Sequence, residues 1–120
     1  MKFYTYEDCG TVVAVMNGEL CPEGKLTEIV PKTADGATEK HVPLVKIDGN
    51  AVTVTVGSTL HPMMEKHFIE WIALETDKGF HKIALAPDMA PVAEFVLPEG
   101  EKPLRAYEHC NLHGLWSVEI

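Results

Sequence analysis

Strand signals dominate the chain from residue 41 onward, and the clearest is a period-two alternation of apolar and polar positions over 52–56. Val52, Val54 and Val56 alternate with Thr53 and Thr55, which sets three valines on one face and two threonines on the other. Asp48-Gly49-Asn50 just ahead is turn chemistry, so residues 41–47 and 51–56 are predicted as a hairpin. Residues 67–75 (HFIEWIALE) are rich in β-branched and aromatic side chains and stop at Asp77-Lys78-Gly79, after which FHKIAL follows at 80–85. That predicts a second hairpin, although the apolar spacing over 62–75 also fits a short helix. Residues 93–97, 104–109 and 115–119 are predicted as further strands, with Pro87-Asp88, Pro98-Glu99-Gly100 and Lys102-Pro103 as breaks. Short strands at close spacing with Gly/Pro turns point to an all-β domain, either a sandwich or a barrel.

The first 35 residues follow another pattern. They hold Cys9-Gly10 and Cys21-Pro22-Glu23-Gly24, few aromatics after Tyr6, and a polar stretch from Pro31 to Gly36. The expected organisation is a small N-terminal lobe over 1–37, ending in a linker near 31–37, and a β domain over 38–120.

Composition narrows the classes. A chain of 120 residues that is 46% hydrophobic can hold a core, and it is neither a disordered tail nor a collagen-like repeat. No apolar run approaches the ~20 residues that cross a bilayer. The N-terminal MKFYTYEDCG has no apolar secretory core, so a cytoplasmic protein with no membrane contact is expected. Ten Lys and Arg against eighteen Asp and Glu give a net charge of −8, which argues against nucleic acid as a partner. Three cysteines are an odd number and too few for a disulfide scaffold, which fits a reducing compartment.

The six histidines matter less for their number than for their neighbours. Three clusters stand out: Glu39-Lys40-His41-Val42-Pro43, His61-Pro62-Met63-Met64-Glu65-Lys66-His67, and Cys110-Asn111-Leu112-His113-Gly114-Leu115-Trp116. Together they offer the imidazoles of His41, His61, His67 and His113 and the thiolate of Cys110. Five such donors overfill the tetrahedral sites of zinc. Blue copper takes two histidines, a cysteine and a weak axial ligand, often methionine, and no methionine follows His113. Iron accepts five or six ligands, and nitrogen donors with one thiolate suit it while leaving a position open. A copper electron-transfer protein and a domain with a structural zinc stay open as alternatives on the residues alone.

EKHVP, HPM…EKHFIEW and CNLHGLW, in that order and spacing, closely resemble the superoxide reductases of the desulfoferrodoxin and neelaredoxin family, over roughly residues 38–117. The resemblance implies an immunoglobulin-like β-sandwich that holds one mononuclear non-haem iron. It implies His41, His61, His67 and His113 as equatorial ligands and Cys110 as the axial one. It implies Glu39 as the carboxylate that reaches the sixth position in the oxidised state, and Lys40 as the lysine beside the open site. The implied activity is one-electron reduction of superoxide to hydrogen peroxide, with an external donor such as a rubredoxin-like protein restoring ferrous iron. A homodimer or tetramer is implied as well. His81 and His109 match no ligand motif and are read as surface or packing residues, while Phe68 and Trp71 are read as core and Leu112 and Trp116 as turn and core.

The N-terminal lobe departs from the two-iron members of that family, which build an Fe(Cys)₄ centre from a Cys-x-x-Cys and a later Cys-Cys pair. Here Tyr6 stands where the first of those cysteines would be, and Pro22 follows Cys21. The lobe therefore resembles a desulforedoxin-like module without its iron ligands, and Cys9 and Cys21 are expected to be free thiols, or an occasional disulfide, rather than ligands.

Overall fold

The computed structural model describes residues 1–20, 24–35 and 40–120, so Cys21 and Glu39 lie outside the described residues. The chain divides into two compact units, Met1–Pro31 and Lys32–Ile120. Among the described residues all regular structure is β, and no helix is long and apolar enough to cross a membrane.

The first unit is a three-stranded antiparallel sheet. Its strands are β1 (Lys2–Tyr6), β2 (Val12–Val15) and β3 (Leu26–Ile29), with β1 in the middle. After β1 the chain turns back sharply: Gly10 N–H donates to Tyr6 O at 2.9 Å and Tyr6 N–H to Thr11 O at 3.1 Å. Cys9 sits exposed in that turn, its Sγ 3.1 Å from Thr11 Oγ1, and this hydrogen bond holds the thiol below its ordinary pKa.

The second unit is a sandwich of two antiparallel sheets. One contains β4 (Pro43–Asp48), β5 (Ala51–Val56) and β8 (Val92–Val96), in the order β4-β5-β8. The other contains β6 (Ile69–Thr76), β7 (Phe80–Ala84), β9 (Pro103–Cys110) and β10 (Gly114–Glu119), in the order β10-β9-β6-β7. Three strands over four is the count of an immunoglobulin constant-type sandwich. Both predicted hairpins form, β4 with β5 and β6 with β7. The helix that apolar spacing allowed over 62–75 does not. β6 is flanked by β7 and β9, and ladder pairing on both sides outweighs the weak helical periodicity.

The valine stripe behaves as its alternation predicts. Val52, Val54 and Val56 face a shared core with Ala93 and Phe95 of β8, Ile72 and Leu74 of β6, and Ala106 and Cys110 of β9. Each fully buried aliphatic side chain there contributes about 1.5–3 kcal/mol of transfer free energy. Lys32, in the stretch expected as linker, pairs with Trp116 of β10 as an isolated parallel bridge and so belongs to the second unit.

Candidate metal centre

β9 ends at Cys110 and β10 begins at Gly114, and the two residues are paired. The connection is therefore the three residues Asn111, Leu112 and His113. Such a tight turn needs a left-handed position, which Gly114 supplies with φ of 81°. The turn puts Cys110 and His113 on one end of the sandwich, with His113 Nδ1 3.8 Å from Cys110 Sγ.

His61 arrives from the loop after β5, where its amide donates to Val56 O at 3.2 Å. Its Nδ1 lies 2.7 Å from Pro62 O. A carbonyl can only accept, so Nδ1 carries the proton and Nε2 presents a lone pair. That Nε2 lies 3.7 Å from Cys110 Sγ. His67 is set by a small bridge in which Met64 N–H donates to His67 O at 2.9 Å and His67 N–H donates to Met64 O at 3.0 Å. Asn111 braces that loop against the Cys110 turn. It accepts from Phe68 N–H on Oδ1 at 3.0 Å, donates from Nδ2 to Lys66 O at 3.0 Å, and donates its own amide to Phe68 O at 3.2 Å.

His41 precedes β4 and is tethered by Asp35, whose Oδ1 accepts from the amides of His41 and of Val42, the latter at 2.9 Å. The His41 Nδ1 side faces Glu108, with Oε1 at 3.5 Å, and both side chains are almost fully buried. Burial pushes the Glu108 carboxyl up to about 7, against the opposing influence of His41 and Lys32. On its other face the His41 ring is stacked on Trp116, 4.6 Å between centroids and 12° between planes.

The four imidazoles form a closed ring of neighbours. Centroid separations are 4.6 Å for His41–His61, 4.7 Å for His61–His67, 5.1 Å for His67–His113 and 5.0 Å for His113–His41. Donor atoms of His41, His61, Cys110 and His113 lie within 4.8 Å of one another; His67 stands outside that set and joins it by its ring contacts. Cys110, His41 and His61 are buried and His113 is exposed, so the group is enclosed on the sulfur side and open on another. Four imidazoles around one thiolate suit iron, and with His67 counted the donor set exceeds the four that tetrahedral zinc takes.

Of the five residues expected as ligands, the donor atoms of His41, His61, Cys110 and His113 lie together, and the His67 ring packs against those of His61 and His113. Lys40 adjoins His41 and is half-buried, while Glu39 lies outside the described residues. His81 and His109 stay away from the group: His81 Nε2 is 2.9 Å from Glu101 Oε1, and His109 Nδ1 is 2.9 Å from Glu70 Oε1, with its ring stacked on Trp71. Trp116 is buried as expected, whereas Leu112, read as turn and core, is 60% exposed because its three-residue turn points it away from the sheets. Asp35 and Glu108 were given no role by the sequence, and Asn111 was named only as a member of the Cys110–Trp116 cluster. Glu108 had a signal: counting back by two from Cys110 along β9 places it on the same inward face, where a carboxylate is rare unless it has work to do.

Fold and site together define an all-β protein with a histidine- and cysteine-lined metal centre at one end of a sandwich. The desulfoferrodoxin family profile matches residues 33–119. The desulfoferrodoxin of Syntrophotalea carbinolica is 43% identical over 99% of this chain and 96% of its own length. The superoxide reductase of Treponema pallidum superimposes with a TM-score of 0.78 at 34% identity, over 98% of this chain and 97% of its own. A one-iron superoxide reductase from Giardia intestinalis aligns with a TM-score of 0.59 at 38% identity, over 69% of this chain and all of its own. The chain belongs to the desulfoferrodoxin family.

Proposed function

We propose that this chain is a superoxide reductase whose non-haem iron is held by His41, His61, His67, His113 and Cys110. The observation that carries the reading is the closed ring of four imidazoles beside a fully buried thiol. When bound, iron supplies the single electron that turns superoxide and two protons into hydrogen peroxide.

The chain's own groups prepare that step. The Pro62 carbonyl fixes the His61 tautomer so that Nε2 can ligate, and Glu108 faces the equivalent nitrogen of His41. Cys110 contributes a full negative charge that makes the site electron-rich. Ferrous iron with one thiolate and neutral imidazoles sums to +1, and the Lys40 ammonium adds to it. An anion therefore meets local attraction on a chain of net charge −8. Distant carboxylates are screened beyond the ~8 Å Debye length at physiological salt, while Lys40 next to a ligand is not. Lys40 also orders a water that gives protons to the reduced product. Glu39 is assigned the closing role: its carboxylate would occupy the open position in the oxidised state.

The electron donor is an external one-electron carrier such as a rubredoxin-like protein. Only Cys9 and Cys21 remain once Cys110 is committed, and two thiols cannot make an Fe(Cys)₄ relay within one chain. The same count supports reading the first unit as a desulforedoxin-like lobe without its metal, joined to a catalytic domain. A cytoplasmic location fits the low cysteine content. Family resemblance supports a homodimer or tetramer.

The test is anaerobic purification without added metal, followed by metal analysis and reaction with pulsed superoxide. One iron per chain, and one peroxide per iron oxidised with no dioxygen evolved, is the expected result. Copper or zinc at full occupancy, or dioxygen in equal yield with peroxide, rejects it.

A further inference from the structure

Lys32 lies nine residues before His41 in sequence and outside every ligand motif, yet its side chain reaches the turn that carries His113. Its ammonium donates to the carbonyl oxygen of His113 at 2.9 Å. The indole Nε1 of Trp116 donates to the same oxygen at 3.2 Å. The ammonium also lies 5.1 Å from the centroid of the Trp116 ring, whose plane is stacked on His41. The main chain anchors this arrangement independently: Lys32 N–H donates to Leu115 O at 3.0 Å, and Ser117 N–H donates to Lys32 O at 2.9 Å.

We propose that Lys32 is a positioning residue for the metal centre, clamping the His113 turn together with Trp116 and holding a positive charge beside the Trp116–His41 stack. The proposal deepens the superoxide reductase reading and rests on it. His113 is the exposed member of the donor group and sits in a three-residue turn, so its imidazole has the least packing to hold it. Two donors converging on one carbonyl occupy both of its lone pairs and stop the peptide from rotating. One of those bonds is charge-assisted, hence roughly twice as strong as a neutral one. The flat face of Trp116 then links the clamp to a second ligand, since an indole attracts a cation over its ring while stacking on an imidazole. Groups that orient ligating histidines typically change metal affinity by about 10–100-fold when removed.

The charge has its own consequence. A fixed cation near the metal disfavours the ferric state by one more unit of charge than the ferrous state, so it favours the form that reacts with superoxide.

Lys32→Met removes the donor and the charge but keeps the main-chain bridge to β10. Lys32→Arg restores both. Trp116→Phe keeps a stacked ring and deletes the other donor. In the iron-loaded full chain, Lys32→Met should lose iron to excess bipyridine about tenfold faster than wild type. Its ferrous-to-ferric ratio at a fixed potential should fall roughly threefold, about 28 mV at the 59 mV per tenfold of a one-electron couple. Lys32→Arg should recover both values, and Trp116→Phe should also release iron faster. Wild-type iron release or potential in Lys32→Met overturns the proposal, as does an Arg variant that behaves like Met. A wild-type chain that takes up no iron overturns the metal-site reading itself, so the two failures are distinguishable.

Discussion

A β-carbon placed on Gly57 meets the main-chain oxygen of Lys40 at 2.5 Å. It also meets Thr59 O at 2.4 Å, and Gly57 itself has φ of 86°. Only glycine lets the end of β5 pass this close to the residue before His41. Gly57→Ala combines a left-handed backbone with two contacts against main-chain oxygens that cannot rotate away. It is expected to destabilise the fold by about 2–4 kcal/mol. Because the obstructed partner is Lys40, the reaction with superoxide should slow as well. Urea unfolding checks the first effect and stopped-flow oxidation the second. A fully active Gly57→Ala protein of native stability contradicts the close approach.

Lys40 is the charge expected to draw superoxide toward the centre. Lys40→Ala should lower the second-order rate about tenfold, because steering of a small anion by a local charge is of that order. The rate should also depend less on ionic strength, and Lys40→Arg should restore the slope. A rate and salt slope equal to wild type would remove Lys40 from the mechanism.

Cys110 is completely buried and lies 3.7 Å from His61 Nε2 and 3.8 Å from His113 Nδ1. A thiolate bound to ferric iron gives a visible charge-transfer absorption that an alkoxide or alcohol does not. Cys110→Ser should abolish that band and weaken iron retention, while the sandwich stays folded because serine is close in volume. Retention of the band in the serine variant means the sulfur is not a ligand.

The hairpins and the valine stripe were legible because their signals are local: period-two alternation and turn residues act over fewer than ten positions. The ligand motifs were legible because each histidine travels with a distinctive neighbour, as in His61-Pro62 and Cys110-x-x-His113. What supports those ligands was not. Asp35, Lys32 and Asn111 act on main-chain groups up to 81 residues away, and a hydrogen bond to a backbone carbonyl leaves no trace in residue type. Leu112, read with Trp116 as turn and core, takes the turn place and faces solvent, while Trp116 takes the buried one.

Far along β6 from the metal centre, Glu101 accepts from Thr76 Oγ1 and lies 2.9 Å from His81 Nε2. These two hydrogen bonds, His81 first and Thr76 second, hold its carboxyl below the ordinary value of 4.5. A carboxylate with a depressed folded pKa stabilises the fold throughout the range above its unfolded value. That stabilisation drains away as pH falls through the lowered folded value. The difference in thermal midpoint between wild type and Glu101→Gln should therefore be present at pH 5.5 and shrink steadily below about 4.5. His81→Gln should narrow the same difference at pH 5.5, since it removes the larger of the two influences. Differential scanning calorimetry across that range decides the matter: a gap that is the same at pH 3 and pH 5.5 shows that the Glu101 charge plays no part in holding the strand ends together. Because this cluster lies on the far end of β6 from Ile69, which pairs with Cys110, iron content should be unchanged in both variants at neutral pH.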